Sequence, residues 1–388
     1  MKYLFLGGKM IYLDNAATTF PKPSKVYEEV LNCMKNYCAN PGRASHDMAI
    51  KSALKILECR KLLSELFNIN NPLNIIFTSN ATEALNMGIK GFLKRGDHAI
   101  STFTEHNSVL RPLNTLSKRG VEITFIAPDK SGFINPNDIK DEIKANTKLI
   151  IVNHVSNVLG TIQDINAIGK IAKKYGVAFL VDASQSAGNI NIDVEKSNIS
   201  MLALSGHKGL YGPQGTGILY VKEGIKLSTL EEGGTGSNSI SLNQPIELPD
   251  RFESGTLNTP GIAGLCEGIK FIKKIGVKNI YLEEINLIEQ LLIELNRLSF
   301  IKIYGNKNIK GRSAVVSFNV EGIDSSIVSE ELNDANIAIR TGYHCAALIH
   351  KVIGTELQGT IRVSPGCFNT SEDIDNFIKA IIRIYKSK

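Results

Sequence analysis

The sequence predicts an α/β fold, with a mainly parallel seven-stranded sheet in a large domain and a smaller α+β domain after it. Three observations predict it. Short apolar runs without polar alternation recur between residues 73 and 221, as in strands buried on both faces. Helical patterns stand between several of these runs, which is how parallel strands are connected. The chain has 388 residues, more than a single core usually holds, so two domains are expected.

Residues 11–19 read as an extended arm ending in small polar residues. Pro21 and Pro23 lead into a helix over 24–37, Asn40-Pro41-Gly42-Arg43 forms a loop, and a second helix covers 48–67. The seven strand patterns lie at 73–78, 98–103, 122–127, 148–154, 178–182, 201–205 and 217–221, with a helix at 165–175 among the connections. Gly233-Gly234-Thr235-Gly236-Ser237 opens a polar stretch that runs to Thr259-Pro260. Long helices at 262–275 and 277–298 follow, then strands at 301–304 and 314–320 and a helix at 325–335. Strands at 337–340 and 359–364 and a helix at 371–385 complete the pattern. The domains expected are an arm at 1–19, a large domain at 20–250 and a small domain at 251–388.

The formal charge of +6 is spread along the chain with no block of like charges, so nucleic-acid binding gains little support. Six cysteines stand at 33, 38, 59, 266, 345 and 367, without a C-x-x-C pair or a histidine at zinc spacing. They read as reduced thiols of a cytoplasmic protein. Cys33, Cys38, Cys59 and Cys266 are expected on helices as small core residues. The apolar start at Tyr3-Leu4-Phe5-Leu6 is too short for a signal peptide or a membrane span. Met10 is an alternative natural start.

Polar residues recur where the strands end. They are Glu105-His106-Asn107, then Asn153-His154 with Asn157, then Asp182 with Gln185, then Ser205 through Lys208. Open α/β sheets hold their ligands at such ends, so one shared pocket is expected. Lys208 can form a Schiff base and Asp182 can hold a pyridinium nitrogen, the pair that pyridoxal phosphate requires. Taken alone, the same two residues equally suit a surface ion pair. Asn80 can cap the next helix, with Glu83 three residues on as in a capping box. The amides of Ala81 and Thr82 and the Thr82 hydroxyl would then suit a phosphate, or belong to a plain cap.

In this order the motifs match a family. Tyr12-Leu13-Asp14-Asn15-Ala16-Ala17-Thr18, Ala81-Thr82-Glu83-Ala84, Glu105-His106-Asn107-Ser108 and Asp182-Ala183-Ser184-Gln185 are four of them. Ser205-Gly206-His207-Lys208, Arg340-Thr341-Gly342-Tyr343-His344-Cys345-Ala346 and Ile361-Arg362-Val363-Ser364 are the others. The chain resembles the class V aminotransferase group and, within it, the cysteine desulfurases. The short segment around Cys345 resembles the second desulfurase group, which includes selenocysteine lyases.

The resemblance implies a fold-type I enzyme that uses pyridoxal phosphate and works as a homodimer on L-cysteine. It implies that Lys208 carries the cofactor and shuttles protons, that Asp182 holds the ring nitrogen and Gln185 the ring hydroxyl, and that His106 stacks on the ring and is a catalytic residue that assists proton transfer. Ala81, Thr82, Ser205 and His207 would hold the phosphate, with Thr256 reaching the phosphate of the neighbouring subunit. Arg362 would clamp the substrate carboxylate in two prongs, assisted by Asn15, Asn157 and Arg340. Cys345 would take the sulfur as a persulfide and pass it to an acceptor protein, for uses such as iron–sulfur cluster assembly. A selenocysteine lyase, another class V activity such as an aminotransferase, and a non-catalytic sulfur-transfer scaffold are the alternatives. No metal site is expected.

Overall fold

The computed structural model describes residues 10–42, 45–237 and 239–387. The start at Met1 or Met10 turns on residues outside this range, and Arg43 of the predicted loop also lies outside it.

The arm contributes a two-residue strand, β1 (Ile11–Tyr12). The large sheet contains β2 (Ile75–Thr78), β3 (His98–Thr102), β4 (Glu122–Ile126), β5 (Thr147–Asn153), β6 (Ala178–Asp182), β7 (Met201–Ser205) and β8 (Gly217–Val221). Their order is β2-β8-β7-β6-β5-β3-β4. Only β8 opposes its neighbours, pairing antiparallel with both β2 and β7. The seven-stranded, mainly parallel expectation therefore holds. Period-two alternation explains how both faces are buried. Ile150, Val152, Phe179, Val181, Leu202 and Leu204 face one apolar layer, and Leu149, Ile151, Leu180, Met201 and Ala203 face the other.

A second sheet, in the order β12-β13-β10-β9, is built from β9 (Ile301–Tyr304), β10 (Val316–Val320), β12 (Arg340–Gly342) and β13 (Thr360–Val363). Its core takes in the helices Val277–Arg297 and Ser371–Lys386, together with Leu13 of the arm. The sequence suggested one strand over 337–340. The chain instead changes sheet at Ile339: β11 (Ile337–Ala338) pairs with β1, and β12 pairs with β13. The helix Thr259–Ile275, assigned by sequence to the smaller unit, sends Ile262, Leu265 and Ile269 into the larger core. Its periodicity was legible, but the layer it packs against was not. Cys33, Cys59 and Cys266 are buried, whereas Cys38 lies beyond the end of the helix Ser24–Asn36 and is exposed.

Candidate active site

The carboxyl ends of the parallel strands open into a cavity of about 220 Å³. Each wall has a local cause. Between β2 and the helix Ala81–Phe92, Asn80 Oδ1 accepts from the Glu83 amide at 2.9 Å. The return contact differs from a capping box, because the Glu83 carboxylate reaches back to the Ser79 amide at 2.7 Å rather than to Asn80. The Ala81 and Thr82 amides, left over by these caps, stand at the cavity. Gly217 makes room for this turn, since a Cβ there would come within 2.3 Å of the Asn80 backbone.

β6 delivers Asp182, which is 6% exposed. Its Oδ1 accepts from the Ser184 amide at 2.9 Å and from the Ser184 hydroxyl at 2.5 Å. Both bonds fix the orientation of its carboxyl group. β7 ends at Ser205, whose hydroxyl is buried without a partner among the described residues. Lys208 follows in the next turn. Burial holds its amine down at about 8, with Asp182 opposing that shift and Arg362 and Arg340 adding to it. A lysine near 8 keeps a usable neutral fraction at physiological pH.

His106 caps the helix Asn107–Ser117, its Nδ1 accepting from the Ser108 amide at 3.1 Å. Burial lowers its pKa to about 4, so the ring is neutral and suits stacking better than proton donation. The Ser108 hydroxyl also joins Thr82 Oγ1 at 2.7 Å. Beneath lies Glu105, fully buried and pushed up to about 8 by desolvation. His207 is also held down at about 4 by burial, its Nδ1 3.0 Å from Thr18 Oγ1. Gln185 Nε2 donates to the Ala16 carbonyl at 2.9 Å and so ties the arm to the cavity.

The far wall comes from the second sheet. Arg340 and Arg362 are register partners across β12 and β13. Arg362 Nη2 donates to Asp14 at 2.8 Å and Nη1 to the Asn157 carbonyl at 3.1 Å, while Nε has no partner among the described residues. The expected two-pronged clamp thus starts with two of its nitrogens engaged. Asn157 Nδ2 holds the His344 carbonyl at 2.7 Å, and the Asn107 amide holds that of Cys345 at 2.7 Å. His344 and Cys345 take φ of 49° and 57°, a left-handed region costly for non-glycine residues. The turn leaves Cys345 exposed, with its Sγ 3.8 Å from Arg340 Nη2.

The cavity therefore gathers Ala81, Thr82, His106, Asn157, Asp182, Gln185, Ser205, His207, Lys208, Arg340 and Arg362. Three predicted residues are not in its lining: Cys345, which follows His344 of that lining and stands beside Arg340, and Asn15 and Thr256. The Asn15 side chain is spent on the arm, bonding the Ser364 carbonyl and the Phe20 amide. Thr256 lies in a separate groove, where Asn40 Nδ2 reaches its hydroxyl at 3.3 Å. Sequence reasoning missed the parts played by Ser184 and Asp14. An Asp followed two residues later by Ser is a recognisable turn signal; the Asp14 contact spans 348 residues and leaves none.

These groups fit pyridoxal phosphate. The unpartnered Ser205 hydroxyl and the two helix amides suit its phosphate, Asp182 suits a protonated ring nitrogen, and Lys208 can carry the aldehyde carbon. Such a pair at the carboxyl ends of a parallel sheet defines a pyridoxal-phosphate-dependent enzyme. Aminotransferase class V matches residues 11–377, and the chain belongs to that family. A probable cysteine desulfurase of Pyrococcus abyssi (strain GE5 / Orsay) is 36% identical, with 98% of this chain and 95% of that protein covered. Another from Borreliella burgdorferi is 37% identical, with 97% and 92% covered. The apo structure of a cysteine desulfurase from Thermococcus onnurineus NA1 superposes with a TM-score of 0.93 at 36% identity, covering 98% of this chain and 95% of that one.

Proposed function

We propose that this protein is a pyridoxal-phosphate-dependent cysteine desulfurase that converts L-cysteine to L-alanine and takes the sulfur on Cys345. The observation that carries the reading is the placement of Cys345, 3.8 Å from Arg340 and next in the chain to His344, both of which line the cavity that holds Lys208 and Asp182. When bound, the cofactor supplies an electron sink for charge at the substrate carbons. Lys208 removes the proton from Cα in its neutral form and returns one to the carbon skeleton. Asp182, fixed by Ser184, would keep a proton on the ring nitrogen. Ser205, His207, Thr82 and the Ala81 amide would hold the phosphate, with His106 for the ring face and Gln185 for the ring hydroxyl. Arg362 draws in the substrate carboxylate through its unengaged N–H, with Asn157 and Arg340 alongside. The Cys345 thiolate bonds to the substrate sulfur as the Cβ–S bond breaks; the electron pair of that bond stays with carbon, which takes a proton.

We further propose that the chain works as a homodimer in the cytoplasm, with Thr256 serving the neighbouring subunit's phosphate, and that an acceptor protein takes the persulfide. Among the described residues no helix is long and apolar enough to cross a membrane. The testing experiment incubates the purified holoprotein with L-cysteine and with L-selenocysteine, and assays alanine, sulfide and selenide. Equimolar alanine and sulfide from L-cysteine is the expected result. Release from selenocysteine alone would transfer the reading to a selenocysteine lyase.

A further inference from the structure

The N-terminal arm closes over the turn that carries Lys208, and several of its contacts converge on one backbone atom. The His207 carbonyl accepts from the Thr19 amide at 3.2 Å and from Lys22 Nζ at 2.5 Å. Lys22 Nζ also donates to the Thr19 hydroxyl, and that hydroxyl donates to the Lys208 carbonyl at 3.1 Å. Burial alone pulls the Lys22 amine down to about 7, with no carboxylate contributing. The ammonium and the neutral amine both keep an N–H for each of these two acceptors, so the contact persists through neutral pH. A desolvated lysine without a counter-charge thus holds a carbonyl one residue away from Lys208.

That carbonyl competes with the ring of its own residue for one proton. His207 Nδ1 lies 3.0 Å from Thr18 Oγ1, and the same oxygen lies 3.1 Å from the His207 carbonyl. A hydroxyl has a single proton to give. Given to the carbonyl, it would leave the Thr18 oxygen to accept from Nδ1, and the ring would carry its proton there. Thr19 and Lys22 already occupy the two lone pairs of the carbonyl, and Lys22 is the closer of the two donors. The Thr18 proton therefore goes to Nδ1, and the proton of the neutral ring sits on Nε2. The ring is neutral because burial, with Lys208 and Lys22 adding to it, holds its pKa at about 4. His207 lines the cavity together with Ala81, Thr82 and Ser205. A donor there attracts a phosphate, whereas a bare lone pair repels it.

We propose that Lys22 is a positioning residue: by occupying the His207 carbonyl it fixes the ring tautomer that presents Nε2–H to the phosphate of pyridoxal phosphate. The inference rests on the cofactor reading of the cavity. Lys22 is not among the residues that line that cavity, so it acts through His207.

The test records long-range 1H–15N correlation spectra of the cofactor-free protein, labelled at histidine, at neutral pH. The His207 signals are identified by their loss in His207→Gln. Wild type should show the Nε2–H tautomer. In Lys22→Met the Thr18 proton turns to the carbonyl, and the Nδ1–H tautomer should become the main form. An Nδ1–H ring in wild type would overturn the proposal, whether or not the variant folds. An unchanged Nε2–H ring in Lys22→Met would overturn it as well. Affinity gives a second readout. Lys22→Met should bind pyridoxal phosphate about tenfold more weakly, while its affinity for pyridoxal, which lacks the phosphate, stays within about twofold of wild type. A merely structural role for Lys22 would weaken both alike and would overturn the proposal. Wild-type protein that takes up no pyridoxal phosphate would sink the cofactor reading instead, and the tautomer would still decide what Lys22 does.

Discussion

Arg362 Nη2 lies 2.8 Å from Asp14 Oδ1, a contact that locks the N-terminal arm to β13. The guanidinium is 1% exposed, so Asp14 is its counter-charge inside the wall. Removing one partner of a buried pair leaves the other desolvated and uncompensated. Asp14→Asn should therefore lower the stability of the cofactor-free protein by about 2 kcal/mol. Chemical denaturation reads this as a lower midpoint at unchanged slope. An unaltered midpoint would show that the pair contributes nothing.

The second prediction concerns Lys208. Burial lowers its pKa from 10.5 to about 8. Only the neutral amine attacks an aldehyde, and that form grows as pH rises through the lowered value. Capture of pyridoxal phosphate by the cofactor-free protein should accelerate from about one unit below that pH to one unit above, then level off. Borohydride should fix the cofactor to the Lys208 peptide, and Lys208→Ala should abolish both fixation and turnover. Fixation on another lysine would remove Lys208 from its role.

Asp182→Asn should fold normally, since an amide can still accept from Ser184. It removes the group proposed to keep a proton on the ring nitrogen. The loss should appear in kcat, by about a hundredfold or more, with KM little changed. Turnover near the wild-type rate would show that Asp182 is not the ring's partner.

Much of this site was legible because it is carried by local patterns. Apolar runs of five residues gave the buried strands, and polar residues at their ends gave Asp182, Ser205 and Lys208. The Asn80 cap was legible for the same reason, being a matter of spacing within one turn. Contacts between distant segments were not. Asp14 meets Arg362 only after both sheets have formed, and Lys22 meets the His207 carbonyl only once the arm has closed over it. The strand reading over 337–340 failed at Ile339, where backbone pairing with β1 and then β13 decides the break and side-chain pattern does not. Asn15 matched a motif, yet its amide is consumed in holding the arm. A motif match specifies the residue and leaves its partner open.

The last prediction concerns Cys345 and Arg340. Their side chains stand 3.8 Å apart, and the left-handed turn that brings them together is fixed by the Asn107 and Asn157 bonds to its two carbonyls. Arg340→Gln removes that contact and should lower kcat/KM for L-cysteine about tenfold while the cofactor's visible absorbance is retained. Cys345→Ser should retain the cofactor's visible absorbance and lose sulfide release from L-cysteine. Selenocysteine should suffer less, because selenolate leaves carbon more readily than thiolate. Brief exposure of wild type to L-cysteine should add one sulfur to the Cys345 peptide, read by mass spectrometry. A serine variant that desulfurates L-cysteine as fast as wild type would refute the persulfide step, and L-cysteine turnover indifferent to Arg340 would remove Arg340 from the site.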